Sequence, residues 1–362
     1  MFYSRLIRSL LFRLDSEKAH TNTIALARYS SNNPVFKSLA HSLYNFQSDR
    51  LGQVQSGIYF DNPVGLAAGF DKNGEAIGLY ESLGFGYTEI GSITAQPSAG
   101  NPLPRAFRLP EDHALINRMG LNNEGTSRIA ERIRSKIAGI PVGVNIAKTH
   151  NPAINGKDAI EDYLISYRIA SPVADYITVN VSCPNTSEGK TFEEPESLHS
   201  LLEAIYNERK SFDPPLFVKL SVDLDKSQTM DLVSICEGFN VNGYVCGNTS
   251  NNRTSLKTSP ERLQQIGRGG LSGRPIALAA NKLTRNVRNQ VPDHRTIIGV
   301  GGIDSFSAAM DKFKAGADLI QIYTGLIYEG PGLVKQINRH LDHYLTQHDL
   351  TMANLRKHLE SK

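Results

Sequence analysis

The sequence has few cysteines, no long apolar run and almost no net charge, and each shortage excludes a class of protein. The three cysteines, Cys183, Cys236 and Cys246, are too few for a disulfide framework and wrongly spaced for a zinc site. The ten histidines are scattered without metal-binding spacing, so no metal site is predicted. No stretch approaches the roughly 18 consecutive apolar residues of a membrane-spanning helix, and no signal-peptide core is present. We therefore expect an intracellular protein.

The small net charge is unevenly distributed. A charge of +3 over 362 residues is too low to predict nucleic acid as a partner, but residues 1–14 contain Arg5, Arg8 and Arg13 and no acidic residue. Residues 2–14 are otherwise mostly apolar, which predicts an amphipathic helix with a basic polar face, as in interfacial membrane anchors. A second helix is predicted from Ser16 onward. Taken alone, these segments fit equally well a helix pair that packs on the protein's own core.

A regular alternation of apolar runs and helical segments begins near residue 63. Apolar runs of this length are typical of strands that are buried on both faces. Strands that alternate with helices form parallel sheets. Eight candidate strands cover residues 64–68, 87–90, 142–146, 176–181, 216–220, 243–247, 297–300 and 319–323.

Eight strand–helix units predict an α/β fold of the (β/α)8 TIM barrel type, which needs about 250 residues. The alternative is an open, doubly wound sheet, but no strand is followed by a glycine-rich dinucleotide-binding turn. We predict an N-terminal helical extension over residues 1–45, the barrel over residues 46–345 and a C-terminal tail over residues 346–362. Two connections, residues 92–140 and 248–296, are unusually long, and the first is expected to begin as an extended loop or a small hairpin.

Polar residues follow the predicted strands. In barrels of this type the carboxyl ends of the strands meet at one mouth, where ligands bind. A single asparagine after a strand is usually a turn former, but Asn145, Asn180, Asn185 and Asn248 would converge there. Amides supply both donors and acceptors, which suits a planar heterocycle that carries imide and carboxylate groups.

Glycines follow the last two strands. Residues 299–302 contain three glycines, and Thr324 and Gly325 follow strand eight. Backbone N–H groups without obstructing side chains favour an anion, and the loops after strands seven and eight form the usual phosphate site of such barrels. The pattern predicts a phosphorylated cofactor such as FMN.

Cys183 is the most reactive side chain expected at the mouth. It lies just after strand four, and a thiol, with a reference pKa near ~8.5, serves as a general base or a nucleophile in many enzymes. The alternative is a buried, inert thiol, which is how we interpret Cys236 and Cys246. No histidine lies in the same loop, so a Cys–His hydrolase pair has little support.

Five motifs resemble those of dihydroorotate dehydrogenases. They cover residues 67–72, 116–123, 180–186, 270–275 and 298–303, and the resemblance extends over most of the chain. Residues 12–20 are similar to the N-terminal signature of the class 2, quinone-dependent enzymes, which carry a membrane-binding helical extension that class 1 enzymes lack. The resemblance implies oxidation of (S)-dihydroorotate to orotate, with FMN as cofactor and a quinone as acceptor, in de novo pyrimidine (UMP) biosynthesis.

The resemblance also implies roles for individual residues, with Cys183 as the catalytic base. The implied cofactor ligands are Ala67, Ala68, Gly69, Phe70, Asp71, Ser92, Asn145, Asn180, Lys219, Gly247, Gly273, Gly302, Tyr323 and Thr324. The implied substrate ligands are Lys72, Asn117, Arg118, Met119, Gly120, Leu121, Asn180, Asn185, Asn248 and Thr249. The implied residues of the quinone tunnel are His20, Arg108 and Tyr323.

One position departs from the class 2 pattern. Cys183 stands where class 2 enzymes usually have serine, and cysteine is typical of class 1. Because a thiol ionises more readily than a hydroxyl, we expect reduction of the flavin to persist to lower pH than in a serine variant. The alternatives to a quinone-linked enzyme are a cytosolic, fumarate-linked dehydrogenase and a non-catalytic, membrane-bound flavin or metabolite sensor.

The remaining expectations concern assembly and location. We expect a monomer that is attached peripherally to the cytoplasmic side of the cell membrane through the N-terminal helices. Residues 185–195 are polar and contain a glycine, which favours either an active-site lid or an ordinary surface loop.

Overall fold

The structure is a computed structural model that describes residue 3 and residues 7–135, 138–182 and 192–361. Its strands are β1 (Gln53–Gln55), β2 (Ile58–Phe60), β3 (Val64–Leu66), β4 (Tyr87–Ile93), β5 (Ala106–Leu109), β6 (Ala114–Asn117), β7 (Val142–Ile146), β8 (Tyr176–Asn180), β9 (Leu216–Leu220), β10 (Gly243–Cys246), β11 (Gly270–Gly273), β12 (Thr296–Val300) and β13 (Leu319–Ile322). Its α-helices are α1 (Arg8–Leu11), α2 (Ser16–Ser31), α3 (Pro34–Tyr44), α4 (Ile77–Tyr80), α5 (Thr126–Arg134), α6 (Gly156–Ala170), α7 (Pro195–Glu208), α8 (Lys226–Gly238), α9 (Pro260–Ile266), α10 (Ala277–Arg288), α11 (Phe306–Lys314), α12 (Thr324–Glu329), α13 (Gly332–Gln347) and α14 (Met352–Glu360).

Eight parallel strands close into a barrel in the order β3, β4, β7, β8, β9, β10, β12, β13 and back to β3. These are the eight strands predicted from the apolar runs, with ends that shift by at most three residues. Helices α5, α6, α7, α8, α10, α11 and α13 pack side by side around them. The (β/α)8 barrel is therefore confirmed, and the doubly wound alternative is wrong because the first and last strands pair with each other.

Aromatic side chains fill the amino-terminal end of the barrel. Tyr87, Tyr176 and Phe217 project inward near the starts of β4, β8 and β9, and all three are buried. The antiparallel hairpin of β1 and β2 lies across this end and inserts Phe60, whose ring meets that of Tyr87 edge-to-face at 5.2 Å. Sequence patterns did not predict this hairpin because its strands are only three residues long. It closes the barrel opposite the mouth.

The two long connections form a second sheet beside the mouth. Strands β5 and β6 make an antiparallel hairpin, as expected for residues 92–140, and β11 from the other connection pairs with β6. The pairing aligns Asn117 with Gly270 and Ala114 with Gly273. Segments far apart in the chain thereby contribute to one side of the mouth.

The N-terminal extension consists of α1, α2 and α3. Asp15 caps α2 by accepting hydrogen bonds from the backbone N–H groups of Glu17 and Lys18, each at 3.0 Å. Helix α2 packs against α4 and β5, and α3 packs beside α13. Within the predicted helix over residues 2–14, the structure describes an α-helix only for α1, and residues 2 and 4–6 lie outside the described residues.

The segment over residues 346–362, expected as a tail, contains α14. This helix packs against α11, with Met352 and Leu355 buried in the core. Across the helices that the structure describes, none combines the length and the apolar character that crossing a membrane requires.

Because Phe60 closes the barrel, replacing it should destabilise the protein much more than replacing its neighbour Tyr59. Phe60→Ala removes a buried ring and is expected to lower the free energy of unfolding by about 3–5 kcal/mol. Tyr59→Ala is the matched control because Tyr59 is 57% exposed on the same strand, and its effect is expected within about 0.5 kcal/mol. Urea denaturation followed by circular dichroism measures both. Equal losses in the two variants would contradict the closing role of Phe60.

Candidate active site

A cavity opens at the carboxyl ends of the barrel strands. It is bounded by the barrel loops and by the second sheet. Of the residues named from the sequence, those that line it are Ala67, Ala68, Gly69, Lys72, Ser92, Asn117, Met119, Gly120, Leu121, Asn180, Lys219, Gly247, Asn248, Thr249, Gly273, Gly302, Tyr323 and Thr324.

A chain of hydrogen bonds runs from this cavity into the barrel. Asn180 Nδ2 donates to Ser92 Oγ at 2.9 Å, and Ser92 Oγ donates to Asn145 Oδ1. Asn145 is fully buried behind the cavity wall, where its Nδ2 donates to Glu89 Oε1 at 2.8 Å. Asn248 Nδ2 approaches Asn180 Oδ1 at 3.3 Å from the other side. The amides at the mouth are thus fixed in orientation by one another.

A buried cation lies in the same wall. The side chain of Lys219 is 6% exposed, and its Nζ lies 3.9 Å from Oε1 of the fully buried Glu89. Asn180 and Lys219 are register partners on β8 and β9, so the amide and the ammonium group reach the cavity side by side. A cation in this position stabilises negative charge on a bound ligand.

Glycine backbone forms another part of the cavity. A Cβ at Gly302 would lie 2.6 Å from the Cα of Ala277, and a Cβ at Gly325 would lie 2.1 Å from a carbonyl oxygen. Only glycine fits these positions, so the loops after β12 and β13 present backbone rather than side chains. The hydroxyls of Ser272 and Thr324 lie 2.8 Å apart at the same place. Backbone N–H groups and hydroxyls are suited to a phosphate.

Asp71 anchors the loop that follows β3. Its carboxylate accepts hydrogen bonds from the backbone N–H groups of Glu75 and Ala76 and from the hydroxyl of Tyr80, each at 2.8 Å. The side chain is buried and is not part of the cavity lining, so the structure places Asp71 behind the site. The anchored loop holds Lys72 at the mouth, where burial lowers the pKa of its ammonium group to about 8.

An apolar cavity of about 470 Å³ lies between the N-terminal helices and the barrel, and we call it the tunnel. Side chains from α2, α3 and α4 make up much of its lining. Lys72, Asn117, Met119 and Tyr323 line both the tunnel and the polar cavity. The tunnel therefore ends at the polar site.

Three aromatic rings connect the tunnel to the polar cavity. The ring of His20 meets that of Phe70 edge-to-face at 5.2 Å, and Phe70 meets Tyr323 in the same way at 5.6 Å. Phe70, expected at the cofactor, lines the tunnel instead of the polar cavity. Burial, together with the nearby charge of Lys72, lowers the pKa of His20 to about 3, so its imidazole is neutral near pH 7.

Two arginines named from the sequence bind backbone carbonyls. Arg108 lines the tunnel, and its guanidinium donates to the hydroxyl of Ser16 at 3.0 Å and to the carbonyl of Leu11 at 2.9 Å. Arg118 is absent from the cavity lining, and its guanidinium donates to the carbonyl of Arg268 at 2.9 Å. Arg108 thus binds the N-terminal extension to the barrel, and Arg118 binds the loop that contains Arg268.

An ion pair that the sequence did not reveal joins the extension to the segment that follows β6 at the mouth. Arg105 Nε and Nη2 donate to the carboxylate of Glu17 at 2.7–3.0 Å. Arg105 Nη1 also donates to the carbonyl of Asn101 at 2.9 Å, and the N–H of Asn101 donates to the carbonyl of Met119 at 3.0 Å. The two partners lie 88 positions apart, and no local pattern indicates such a pairing.

Two residues named from the sequence, Cys183 and Asn185, lie outside the described residues. The chain reaches the mouth immediately before them. Ser182 is buried there and its Oγ accepts a hydrogen bond from Asn248 Nδ2 at 2.8 Å. Ser182 therefore contacts the wall of the polar cavity through Asn248.

Comparison with known proteins relates the barrel to one family. Residues 51–345 match the family model described as dihydroorotate dehydrogenase. The chain belongs to the dihydroorotate dehydrogenase family. The family predicted from the five sequence motifs is therefore confirmed, together with the prediction of an oxidoreductase.

Curated relatives named dihydroorotate dehydrogenase (quinone) match nearly the whole chain. The protein of Chloroflexus aurantiacus is 41% identical over 351 residues, which cover 94% of this chain and 96% of the relative. That of Haloarcula marismortui is 41% identical over 341 residues, or 94% of both chains. That of Christiangramia forsetii is 39% identical over 339 residues, or 93% of this chain and 98% of the relative. The class 2 branch indicated by the N-terminal signature is thus confirmed.

Solved structures of the family share the fold. DHODH from Eimeria tenella in complex with ferulenol superposes with a TM-score of 0.81 at 29% sequence identity and covers 92% of both chains. The ligand-free form of DHODH from the same organism gives a TM-score of 0.78 at 30% identity, with 90% of this chain and 96% of the other covered. The structural likeness therefore extends beyond the span of the family model.

Several residues of the dihydroorotate dehydrogenase site were missed in the sequence. Gln321 lines the cavity, and Glu89 lies behind it. A signal for both existed, because each places a long polar side chain at a buried position of a barrel strand. Ser272 gave no such signal, since β11 is a short strand in a long connection.

Proposed function

We propose that this chain oxidises (S)-dihydroorotate to orotate and passes the electrons to a quinone, with FMN as redox cofactor, in de novo pyrimidine biosynthesis. The observation that carries the proposal is the meeting of two cavities of opposite character. The polar mouth suits a heterocycle that bears a carboxylate, and the apolar tunnel suits a hydrophobic acceptor. Their shared wall contains Lys72, Asn117, Met119 and Tyr323. The names of the curated relatives agree with this activity.

The donor set of the mouth fits FMN. The glycine loops at Gly302 and Gly325 supply backbone N–H groups for a phosphate. Ser92, Asn180 and Lys219 supply the hydroxyl, the amide and the cation that a flavin ring with several acceptors requires. When bound, FMN supplies the two-electron exchange between substrate and quinone.

The remaining polar residues of the mouth are assigned to dihydroorotate. Lys72 pairs with the carboxylate of the substrate in a charge-assisted contact. Asn117 and Asn248, which line the same cavity, bind the polar ring atoms. Cys183 accepts the proton at C5 while the hydrogen at C6 leaves with its electron pair as a hydride, so the ring loses two hydrogens and becomes orotate.

The tunnel is assigned to the quinone. Its lining is mainly apolar, and the charged groups of Glu17 and Arg108 in it are paired with protein donors or acceptors. A neutral His20 avoids an uncompensated buried charge along the path. A hydrophobic acceptor that enters between α2 and α3 reaches Tyr323 in the wall that the tunnel shares with the polar cavity.

Exposed apolar side chains surround the outer end of the tunnel and favour contact with a membrane surface. Val35, Leu39 and Leu43 recur at helical spacing on α3 and are 74%, 54% and 53% exposed, and Leu26 on α2 is 66% exposed. A helix pair that presents such a face to lipid would take up the quinone from the bilayer.

Vesicle binding tests this contact. The protein should sediment together with phospholipid vesicles. Val35→Glu should weaken vesicle binding by about tenfold, because it removes apolar area that would be buried in the lipid and adds a charge. Leu278→Glu is the matched control, since Leu278 is 83% exposed on α10. The membrane contact is refuted if both variants bind as the unaltered protein does.

Anaerobic spectroscopy tests the reaction itself. Dihydroorotate added to the yellow, purified protein should bleach the flavin absorbance, and a short-chain quinone should restore it. Fumarate should leave the bleached spectrum unchanged. Recovery with fumarate would instead favour the cytosolic class of enzyme, and a spectrum that dihydroorotate never bleaches would favour a binding protein without catalysis.

The pKa of Lys72 predicts how substrate binding depends on pH. Because burial lowers this pKa to about 8, the ammonium group is charged below that pH and loses its charge above it. Affinity for the carboxylate of orotate, measured by spectral titration, should therefore fall by up to about tenfold between pH 8 and pH 9.

The control for this titration is Lys72→Met. It should bind orotate weakly at every pH, with no inflection near pH 8. A wild-type affinity that stays constant from pH 7 to pH 9.5 would rule out Lys72 as the partner of the carboxylate.

A further inference from the structure

Glu89 is a carboxylate in the interior of the barrel, two positions beyond the aromatic layer that closes the amino-terminal end. It lies on β4 between Tyr87, which belongs to that layer, and Gly91. Its side chain is completely buried. A charge in such a place costs several kcal/mol of desolvation unless its neighbours compensate it.

The neighbours do compensate it. Oε1 accepts a hydrogen bond from Asn145 Nδ2 at 2.8 Å, and Oε2 accepts from Gln321 Nε2 at 2.8 Å, Thr178 Oγ1 at 3.2 Å and the hydroxyl of Tyr176 at 3.3 Å. Both oxygens act as acceptors, which is the bonding pattern of an ionised carboxylate. Donors from β7, β8 and β13 thus surround the Glu89 carboxylate and stabilise a negative charge there.

Three of the groups around Glu89 belong to the candidate active site. Lys219 Nζ, which lines the cavity, lies 3.9 Å from Oε1. Asn145 accepts a hydrogen bond from Ser92, which lines the cavity, and Gln321 also lines the cavity. Glu89 is absent from the cavity lining, so it acts on a ligand only through these neighbours and through its charge.

We propose that Glu89 is a positioning residue that holds Lys219 and Asn145 in place and that its buried negative charge lowers the reduction potential of the bound flavin. The proposal rests on the proposed function, because it requires FMN in the cavity. Reduction adds negative charge to the flavin, which Lys219 stabilises and a fixed anion behind Lys219 opposes. Glu89 thereby limits how tightly the cofactor retains the electrons that the quinone must receive.

The test compares two isosteric substitutions. Glu89→Gln removes the buried charge and keeps the shape. Glu237→Gln is the matched control, because Glu237 is also paired, with Arg295 at 3.0 Å, but lies on α8 outside the barrel. The flavin reduction potential is measured against a reference dye under anaerobic conditions at pH 6.5.

In Glu89→Gln, the ratio of reduced to oxidised flavin at a fixed potential should rise about tenfold, which for a two-electron couple is a shift of about 30 mV. Glu237→Gln should leave the ratio unchanged. An unchanged or lower potential in Glu89→Gln would overturn the inference while FMN binding by the wild type still stands. A wild type that binds no FMN would overturn the proposed function instead.

A second comparison covers the case in which Glu89→Gln does not fold. Glu89→Gln is therefore also made in the Lys219→Gln background, because replacing both partners of a buried ion pair costs less than removing one of them. The added substitution should again raise the potential relative to Lys219→Gln alone. Equal potentials in the single and double variants would show that Glu89 is only a structural residue.

Discussion

The closed barrel excludes water, and this constrains the positions of the polar side chains inside it. A polar side chain inside the barrel is tolerated only when its neighbours supply the hydrogen bonds that water would otherwise supply. Asn180, Ser92, Asn145 and Glu89 meet this condition in one chain that runs from the mouth inward. Phe60 closes the other end of the barrel, so among the described residues these hydrogen-bonded side chains face the cavity at the mouth. The arrangement of the cavity is therefore a consequence of closure.

The N-terminal extension meets the same constraint from the apolar side. The apolar tunnel ends at a polar cavity. The ionisable side chains near this junction are either paired with a protein group or held in their neutral form. Glu17 is held by Arg105, and Arg108 is held by the carbonyl of Leu11. His20 is neutral because burial lowers its pKa. The extension is thus fastened to the barrel by the residues that line the path it creates.

Features that depend on a local residue pattern could be predicted from the sequence. Features that depend on contacts between distant parts of the chain could not. The barrel strands were predictable because a strand buried on both faces must be apolar along its length. The glycines after β12 and β13 were recognisable because only glycine fits there. Phe60 was missed because its hairpin is too short for a periodic pattern. Arg105 and Glu17 are brought together only by the packing of α2 on β5. Arg118 matches a substrate motif, yet its guanidinium binds backbone carbonyls.

Cys183, expected as the base, and the tunnel belong to different parts of the chain. The tunnel is formed by α2, α3 and the parts of the barrel that they cover, and under the proposed function it admits the electron acceptor. Cys183, proposed as the base that takes the proton from the substrate, follows β8 in the sequence. A class 1 residue at position 183 therefore does not argue for a class 1 acceptor. The relatives named dihydroorotate dehydrogenase (quinone) match the chain over its extension as well as its barrel, which favours the tunnel as the feature that sets the class.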